Sequence, residues 1–342
     1  MSSTATEPAD PDQFARRVEP YRRELLAHCY RLLGAAQDAE DLVQETYLRA
    51  WRSYDRFEGR SSVRVWLYRI ATNACLTALA RHGRRALPSD LSGPADDPDT
   101  PPSPAPGVDW LQPIADARFG ADPRHGADSA DPAAIVVGRE SLRLALVASL
   151  QHLPPRQRAV FMLREVLAFS ADEVAEMLGT TTPAVKSMLQ RARARLDQVA
   201  PGRGRVEEPT EPRARALLEA YVAGFENADT AALERALRSD AAIELVGTRT
   251  WFAGRSTCLR FLERVIGSAG TWRMVPVAAN GGQLAGAAYR RGGDGGYHAF
   301  GLGLLSITGA GIGRIVVFDG GPGLLAEFGL PATAPDHPPR TL

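Results

Sequence analysis

The sequence predicts a multidomain chain, all-α over its first 200 residues and α+β over most of the remainder. Three observations predict this. Apolar residues recur at helical spacing in two blocks between Phe14 and Leu196, and a strip holding ten prolines and nine aspartates over residues 88–133 separates the blocks. Beyond Pro212, two helix-like stretches lead into alternating strand-like runs divided by Gly-rich turns, the order expected of an α+β domain. A length of 342 residues is itself too much for one ordinary domain.

Composition narrows the class. With 44% hydrophobic and 23% charged residues, the chain reads as globular, and apolar runs such as Leu142 to Leu150 fall short of a membrane span. The polar, acidic stretch Met1 to Asp12 is unlike a signal peptide. Cys29, Cys75 and Cys258 lie far apart with no metal-ligand spacing, so buried thiols in a reducing cytoplasm are expected, with no metal and no cofactor. The formal net charge of +0 hides segregation. Residues 1–87 carry 14 basic and 11 acidic side chains, residues 88–133 carry 2 and 9, residues 134–205 carry 11 and 6, and residues 206–342 carry 13 and 14. Two basic blocks flank an acidic strip, so the neutral total hides a segregated polyampholyte.

The elements follow in order. Phe14 to Leu33 reads as one helix stopped by Gly34, and Asp38 as the cap of a second helix carrying Leu42, Val43, Tyr47, Ala50 and Trp51. Tyr54 to Ser62 reads as a loop, and a third helix carries Val65, Trp66, Ile70, Ala74, Leu76 and Leu79 before the basic run Arg81 to Arg85. Residues 88–133 are expected as an extended linker, with the island Val108 to Ile114 docking onto something. Helices resume from Ile135 to Leu150 and from Pro155 to Leu167. Ser170 with Glu173 forms a capping box, Gly179 stops that helix, and Thr182-Pro183 opens the next. There Val185, Met188, Leu189, Ala192 and Leu196 face inward and Lys186, Ser187, Gln190, Arg191 and Arg193 outward, which makes a helix-turn-helix.

A basic outer face of this kind can neutralise phosphates, and Lys186, Ser187 and Gln190 near its start can reach base edges; a solvated basic face is the plain alternative. Past a hinge at 201–210, helices at Ala214–Asn227 and Thr230–Arg238 precede strands at Ala242–Val246, Thr271–Ala279, Leu284–Tyr289, His298–Ser306 and Ile312–Phe318. Gly292 to Gly296 and Asp319 to Gly323 read as turns rather than phosphate loops.

The block Asp38-Ala39-Glu40-Asp41-Leu42-Val43-Gln44-Glu45-Thr46-Tyr47-Leu48-Arg49-Ala50-Trp51 with Trp66-Leu67-Tyr68-Arg69-Ile70-Ala71-Thr72-Asn73-Ala74-Cys75-Leu76 resembles region 2 of the extracytoplasmic-function (ECF) sigma factors. Leu153-Pro154-Pro155-Arg156-Gln157-Arg158, Ser170 to Ala175, Val185-Lys186-Ser187 and Arg191-Ala192-Arg193 resemble their region 4. The stretches Tyr221 to Asp229, Trp251 to Arg255, Trp272 to Pro276 and Phe328 to Pro331 resemble the SnoaL-like branch of the NTF2-like cone fold, a fusion carried by a subgroup of these factors.

The resemblance implies region 2 over 1–87, a linker over 88–133, region 4 over 134–200, a SnoaL-like domain over 211–330 and a tail over 331–342. It implies two partners, core RNA polymerase (its β′ clamp helices and β flap) and promoter DNA, with no membrane and no catalysis. Asp41, Gln44, Glu45 and Arg49 would face the polymerase while Val43, Tyr47 and Trp51 pack inward. Arg60, Ser62, Arg64, Arg69 and Asn73 would meet the opened minus-ten element, with Tyr54 and Phe57 as further platforms and Trp66 in the core. Arg81, Arg84 and Arg85 would grip phosphates, and the helix-turn-helix set would read the minus-thirty-five element. The acidic linker would thread the polymerase cleft, and the cone would modulate output, with a small-molecule ligand conceivable. Asp240, Glu244, Tyr289 and His298 are the acid–base candidates if it were an enzyme. The alternative is a one-component, ligand-sensing DNA-binding regulator.

Overall fold

Proline placement divides the first helical stretch. In the computed structural model, which describes residues 11–57, 59, 61–81, 83–119, 142–199 and 212–334, the expected helix from Phe14 to Leu33 is two: α1 (Pro11–Val18) and α2 (Arg22–Leu33). Between them Glu19–Tyr21 forms a 3₁₀ turn around Pro20, which has no N–H to continue a helical ladder. Gly34 ends α2 as expected, with φ 73° and its N–H on the Tyr30 carbonyl at 2.7 Å. Helix α3 (Ala36–Arg52) starts two residues before the expected cap, behind Ala35, which has no side-chain acceptor to cap it; Asp38 falls within the first turn and pairs with Arg85. Helix α4 (Val63–Arg81) completes the bundle, burying Trp66, Leu67, Ala71, Ala74 and Cys75 against α2 and α3.

The chain clusters into two units: Met1–Arg85 with Arg118–Pro201, and Ala86–Ala117 with Gly202–Leu342. The second half of the first unit begins in the described residues with α5 (Leu144–Gln151); the expected helical residues 135–141 lie outside them. Helix α6 (Pro155–Phe161) loosens into a π turn over Met162–Val166. The capping box forms as expected: the Ser170 hydroxyl accepts from the Glu173 N–H at 3.2 Å and the Glu173 carboxylate accepts from the Ser170 N–H at 2.7 Å, opening α7 (Ala171–Met177). Helix α8 (Thr182–Val199) buries Val185, Leu189 and Ala192.

Arg158 joins the two halves of this unit. Its guanidinium, 1% exposed, donates to the Leu32 carbonyl at the end of α2, to Gln151 Oε1 at 2.7 Å, and to the Gln151 and Leu153 carbonyls at 3.1 and 3.3 Å. Burial draws its pKa down to about 10, so it stays charged, and the free carbonyls of a helix C-terminus suit a cation.

In the second unit, α9 (Pro212–Asn227) and α10 (Thr230–Ala236) cross closely at Gly224, where a Cβ would meet Leu233 Cγ at 2.6 Å. The strands are β1 (Leu237–Val246), β2 (Trp251–Ala253), β3 (Trp272–Ala279), β4 (Gln283–Arg291), β5 (Tyr297–Thr308) and β6 (Gly311–Asp319). They form one sheet in the order β2-β1-β6-β5-β4-β3, with β1 and β6 parallel and the other neighbours antiparallel. Helix α11 (Arg255–Ile266) packs against β1 and α9 against β3 and β4, so helices cover one face of the sheet in the α+β cone expected of a SnoaL-like domain.

Two expectations change here. The run Asp319 to Gly323 is not a plain turn: it opens α12 (Gly321–Glu327), a helix of seven residues. Residues beyond Leu330 are not a free tail throughout, since Ala299 N–H donates to the Ala332 carbonyl and Ala334 N–H to the Tyr297 carbonyl, both at 2.8 Å.

The largest departure concerns residues 88–117, expected as an extended linker. They lie against the second unit as a strap; residues 120–141 and the hinge at 201–210 fall outside the described residues. Glu244, fully buried, accepts from the Ser89 N–H at 2.9 Å and pairs with Arg314. Trp251 Nε1 donates to the Ser92 carbonyl at 2.8 Å, and Arg249 N–H to the Ser103 carbonyl at 2.8 Å. The Asn280 side chain accepts from the Ile114 N–H at 3.2 Å, while Asp116 accepts from Gly281 and Gly282 at 2.7 and 2.6 Å. Leu111 and Ile114 of the expected docking island are buried. Backbone donors and acceptors meet fixed partners, which a proline-rich segment achieves without strand or helix of its own.

Replacing Arg158 by Met leaves the carbonyls of Leu32 and Gln151 short of a buried donor. A loss of about 3 kcal/mol is expected, read in urea denaturation, with α5–α8 losing amide protection before α2–α4.

Candidate nucleic-acid interface

The residues expected to meet DNA sit on an exposed helical stripe only in part. On α4, Arg64 Nε donates to Glu24 at 3.1 Å, and its guanidinium lies over the rings of Tyr68 and Phe169 at 5.1 and 4.5 Å. Tyr68 donates to the same Glu24 oxygen at 3.0 Å, and burial pushes its phenol upward. One turn on, Arg69 faces Glu176 of α7 at 3.8 Å, and Asn73 Nδ2 donates to the Met177 carbonyl at 3.0 Å. Three expected DNA-binding residues of the region 2-like helix are therefore engaged by the helix-turn-helix of the same unit. Arg69 and Asn73, four residues apart, share the face that α7 covers, whereas Arg64 lies on another side of α4 and is met by Phe169 just before α7.

The remaining positions divide. Ser62 is exposed, and its hydroxyl accepts from the Val65 N–H at 3.2 Å at the start of α4. Arg60 lies outside the described residues. Tyr54 and Phe57 are not open platforms: Phe57 stacks on buried Trp66 at 4.7 Å, Tyr54 lies edge-on to Phe14 at 5.1 Å, and Arg17 sits over Phe57. Of the basic run, Arg81 is exposed, Arg84 meets His152 Nδ1 at 2.7 Å, and Arg85 is drawn down to Asp38. On α8, Lys186, Gln190, Arg191 and Arg193 are exposed and Ser187 half-buried; Arg191 donates to Ser187 at 2.6 Å and Arg193 pairs with Glu165 at 2.8 Å. This face remains open within its unit.

On α3, Asp41, Gln44 and Arg49 are exposed and Glu45 is partly so, with Arg49 and Glu45 paired at 2.7 Å one turn apart. Val43 is buried, but Trp51, expected inside, is 37% exposed and Leu48 is 51% exposed. Leu48 was passed over in the sequence because one apolar residue on a polar face is unremarkable until its neighbour Trp51 proves to share the surface. Tyr47 lies between, its hydroxyl donating to the Val18 carbonyl at 3.2 Å. Among the second unit's titratable groups, Asp240 pairs with Arg238 at 2.6 Å, His298 with Asp294 at 2.9 Å, and Tyr289 donates to the Pro331 carbonyl at 3.0 Å. With Glu244 tied to the strap, the four acid–base candidates are dispersed.

These two halves correspond to known models. Sigma-70 region 2 matches residues 17–85, and sigma-70 region 4 matches residues 143–196. The ECF RNA polymerase sigma factor SigG of Mycobacterium tuberculosis is 44% identical over 335 residues, covering 96% of this chain and 87% of that protein. The chain belongs to the ECF sigma factors. It is a sigma factor that interacts with RNA polymerase and promoter DNA, and its C-terminal unit is an additional α+β domain built on one six-stranded sheet. SigJ of the same species is 33% identical over 51% of this chain and 47% of its own length. A crystal structure of Mycobacterium tuberculosis SigJ superposes with a TM-score of 0.58 at 22% identity, covering 92% of this sigma factor and 98% of that chain, which shows a shared fold. Among the described residues, no helix is long and apolar enough to cross a membrane.

The region 2 bundle also carries a pH response. His28 is fully buried on α2, with Nε2 on the Thr72 hydroxyl at 2.9 Å; burial, then Arg31 and Arg64, lowers its pKa from 6.5 to about 3. Below pH 6.5 the unfolded chain takes up a proton that the folded chain refuses until about pH 3, so stability falls as pH falls through that window. His28→Gln should flatten the dependence by up to about 1.4 kcal/mol per pH unit, measured as urea-unfolding free energy at pH 4, 5, 6 and 7; equal slopes would mean His28 is not held neutral.

Proposed function

We propose that this ECF sigma factor reads its promoter through Ser62, Arg64, Arg69, Asn73, Arg81, Arg84 and Arg85 with Arg60, and through Lys186, Ser187, Gln190, Arg191 and Arg193. It docks the β′ clamp helices of RNA polymerase through Asp41, Gln44, Glu45 and Arg49, to which the exposed Leu48 and Trp51 add an apolar centre, and the β flap through region 4. One observation carries the reading furthest: Arg64, Arg69 and Asn73 are held by Phe169, Glu176 and Met177 within the first unit. Region 4 thus acts as a lid on the minus-ten reader, and engagement with polymerase separates the two. The SnoaL-like unit modulates this opening in cis. The strap is its lever, because the segment between Arg85 and Arg118 is both the outlet of region 2 and a layer of the cone domain. A one-component regulator acting on duplex DNA leaves the α3–α4 block without a task.

The Arg69–Glu176 pair separates lid from reader. Both partners are well exposed and 3.8 Å apart, so the pair itself is weak. Arg69→Ala removes lid contact and DNA contact together, whereas Glu176→Arg repels Arg69 and leaves the reader intact. In run-off transcription with core RNA polymerase, Arg69→Ala should lower promoter-specific transcript about tenfold and Glu176→Arg should raise it about two- to fivefold. A change of the same sign in both variants overturns the lid, and no transcript from the unaltered chain across promoter pools overturns the residue assignment.

A further inference from the structure

Among the chain's 40 lysine and arginine residues, Lys186 is the only lysine. The difference is one of chemistry. A guanidinium stays protonated and resists acyl donors that readily modify a primary amine, so Lys186 is the one side chain whose positive charge acylation can remove. It stands at the start of the second turn of α8, next to buried Val185, and is itself exposed.

The surroundings leave its ammonium open. Each arginine of α8 is held within the unit: Arg191 donates to Ser187 at 2.6 Å, Arg193 pairs with Glu165 at 2.8 Å, and Arg195 Nε donates to the His152 carbonyl at 2.8 Å. The carboxylates of α7 have other partners. Asp172 accepts from the Thr182 hydroxyl at 2.6 Å, Glu173 accepts from the Ser170 N–H, and Glu176 faces Arg69. Lys186 makes no hydrogen bond or ion pair among the described residues. It is thus a cation in water, on the face assigned above to the minus-thirty-five element, with nothing inside the fold competing for it.

We propose that Lys186 is a modification site, at which an acetyl group taken from an activated acyl donor weakens promoter binding by region 4. The ammonium first gives a proton to water. The free amine then attacks the acyl carbon, and an N–C bond forms as the bond from that carbon to the leaving sulfur or phosphate oxygen breaks. The remaining surplus proton goes with the thiol or phosphate. The product is a neutral amide, which no longer releases a counterion from a DNA phosphate and is too bulky for the same approach to a base edge. No internal hydrogen bond or ion pair is lost, so the helix-turn-helix keeps its shape while its open cation disappears. The inference rests on the assignment of Lys186 to the promoter-reading set.

The test treats the full chain and Lys186→Arg with acetyl coenzyme A or with acetyl phosphate, removes the donor, and adds untreated core RNA polymerase and promoter DNA. Peptide mass spectrometry should find the acetyl group on Lys186, formed in the native chain as readily as in urea. Run-off transcript from the acetylated chain should fall about tenfold, while Lys186→Arg should give the same transcript before and after treatment. Modification by only one of the two donors supports the site and identifies the acyl source. No adduct at Lys186 from either donor, or complete modification with transcript unchanged, would overturn the switch. Lys186→Ala tells the two readings apart: a variant with undiminished transcript removes Lys186 from the promoter-reading set, whereas a lowered transcript alongside an unreactive amine removes the modification alone.

Discussion

The most deeply buried arginine of the sigma half ties its two halves together. Arg158 reaches from region 4 to the C-terminal carbonyl of α2, and its two terminal amino groups are met there by carbonyl groups rather than by a carboxylate. The attraction is to the unpaired ends of backbone dipoles, which water would otherwise solvate. Because that contact fixes α6 against α2, it also fixes where α7 falls, and α7 falls on the outer face of α4. The engagement of Arg64, Arg69 and Asn73 is thus a consequence of an interaction on another side of the bundle. The individual lid contacts are weak: a long ion pair, one amide–carbonyl hydrogen bond and a guanidinium over two rings. A weak lid held by a strong anchor can lift locally without unfolding either half.

The C-terminal unit is organised around a different buried charge. Glu244 on β1 has no exposure and meets Arg314 from the neighbouring β6 and the Ser89 N–H from the strap. A buried carboxylate is tolerable only with such partners, so the strap completes the electrostatics of the sheet rather than lying loosely upon it. Farther along, Asn280 and Asp116 repeat the pattern with side-chain acceptors and backbone donors, holding Ile114 and the Gly281–Gly282 turn. Cone and strap are in this sense one folding unit built from two distant stretches of chain.

How much of this was readable in advance follows from the range of the interactions. Helix ends at Gly34 and Ser170 were legible because a stop glycine and a capping box act within four residues. The strands of the cone were legible from alternation, but β2 and α11 were not, since a three-residue strand carries no period and the single residue between it and Arg255 to Ile266, Gly254, is a weaker start signal than a capping side chain. Asp38 looked like a cap on local grounds, but the helix begins two residues earlier and its carboxylate pairs with Arg85, 47 residues away. The outward set on α8 was read correctly as a surface, because amphipathicity determines which side faces out. On α4 the same reasoning identified the polar stripe but not its cover, because sequence periodicity carries no information about which polar face meets another.

The strap is the clearest case of composition pointing the wrong way. Prolines and aspartates over residues 88–117 read as disorder because the segment has little apolar surface to bury. Yet proline also restricts the unfolded chain, so fixing a proline-rich stretch forfeits less conformational entropy than fixing an ordinary one. A modest set of hydrogen bonds from Glu244, Trp251, Arg249, Asn280 and Asp116 then suffices to seat it, with Leu111 and Ile114 as its only large buried side chains. The strap is not seated equally along its length: Pro88, Leu111, Pro113 and Ile114 are buried and Ser89 serves the buried Glu244, whereas Asp96, Asp97 and Asp99 lie exposed between these anchors. Water readily replaces hydrogen bonds only in that exposed middle, so the strap can loosen there while its two ends stay fixed to the sheet.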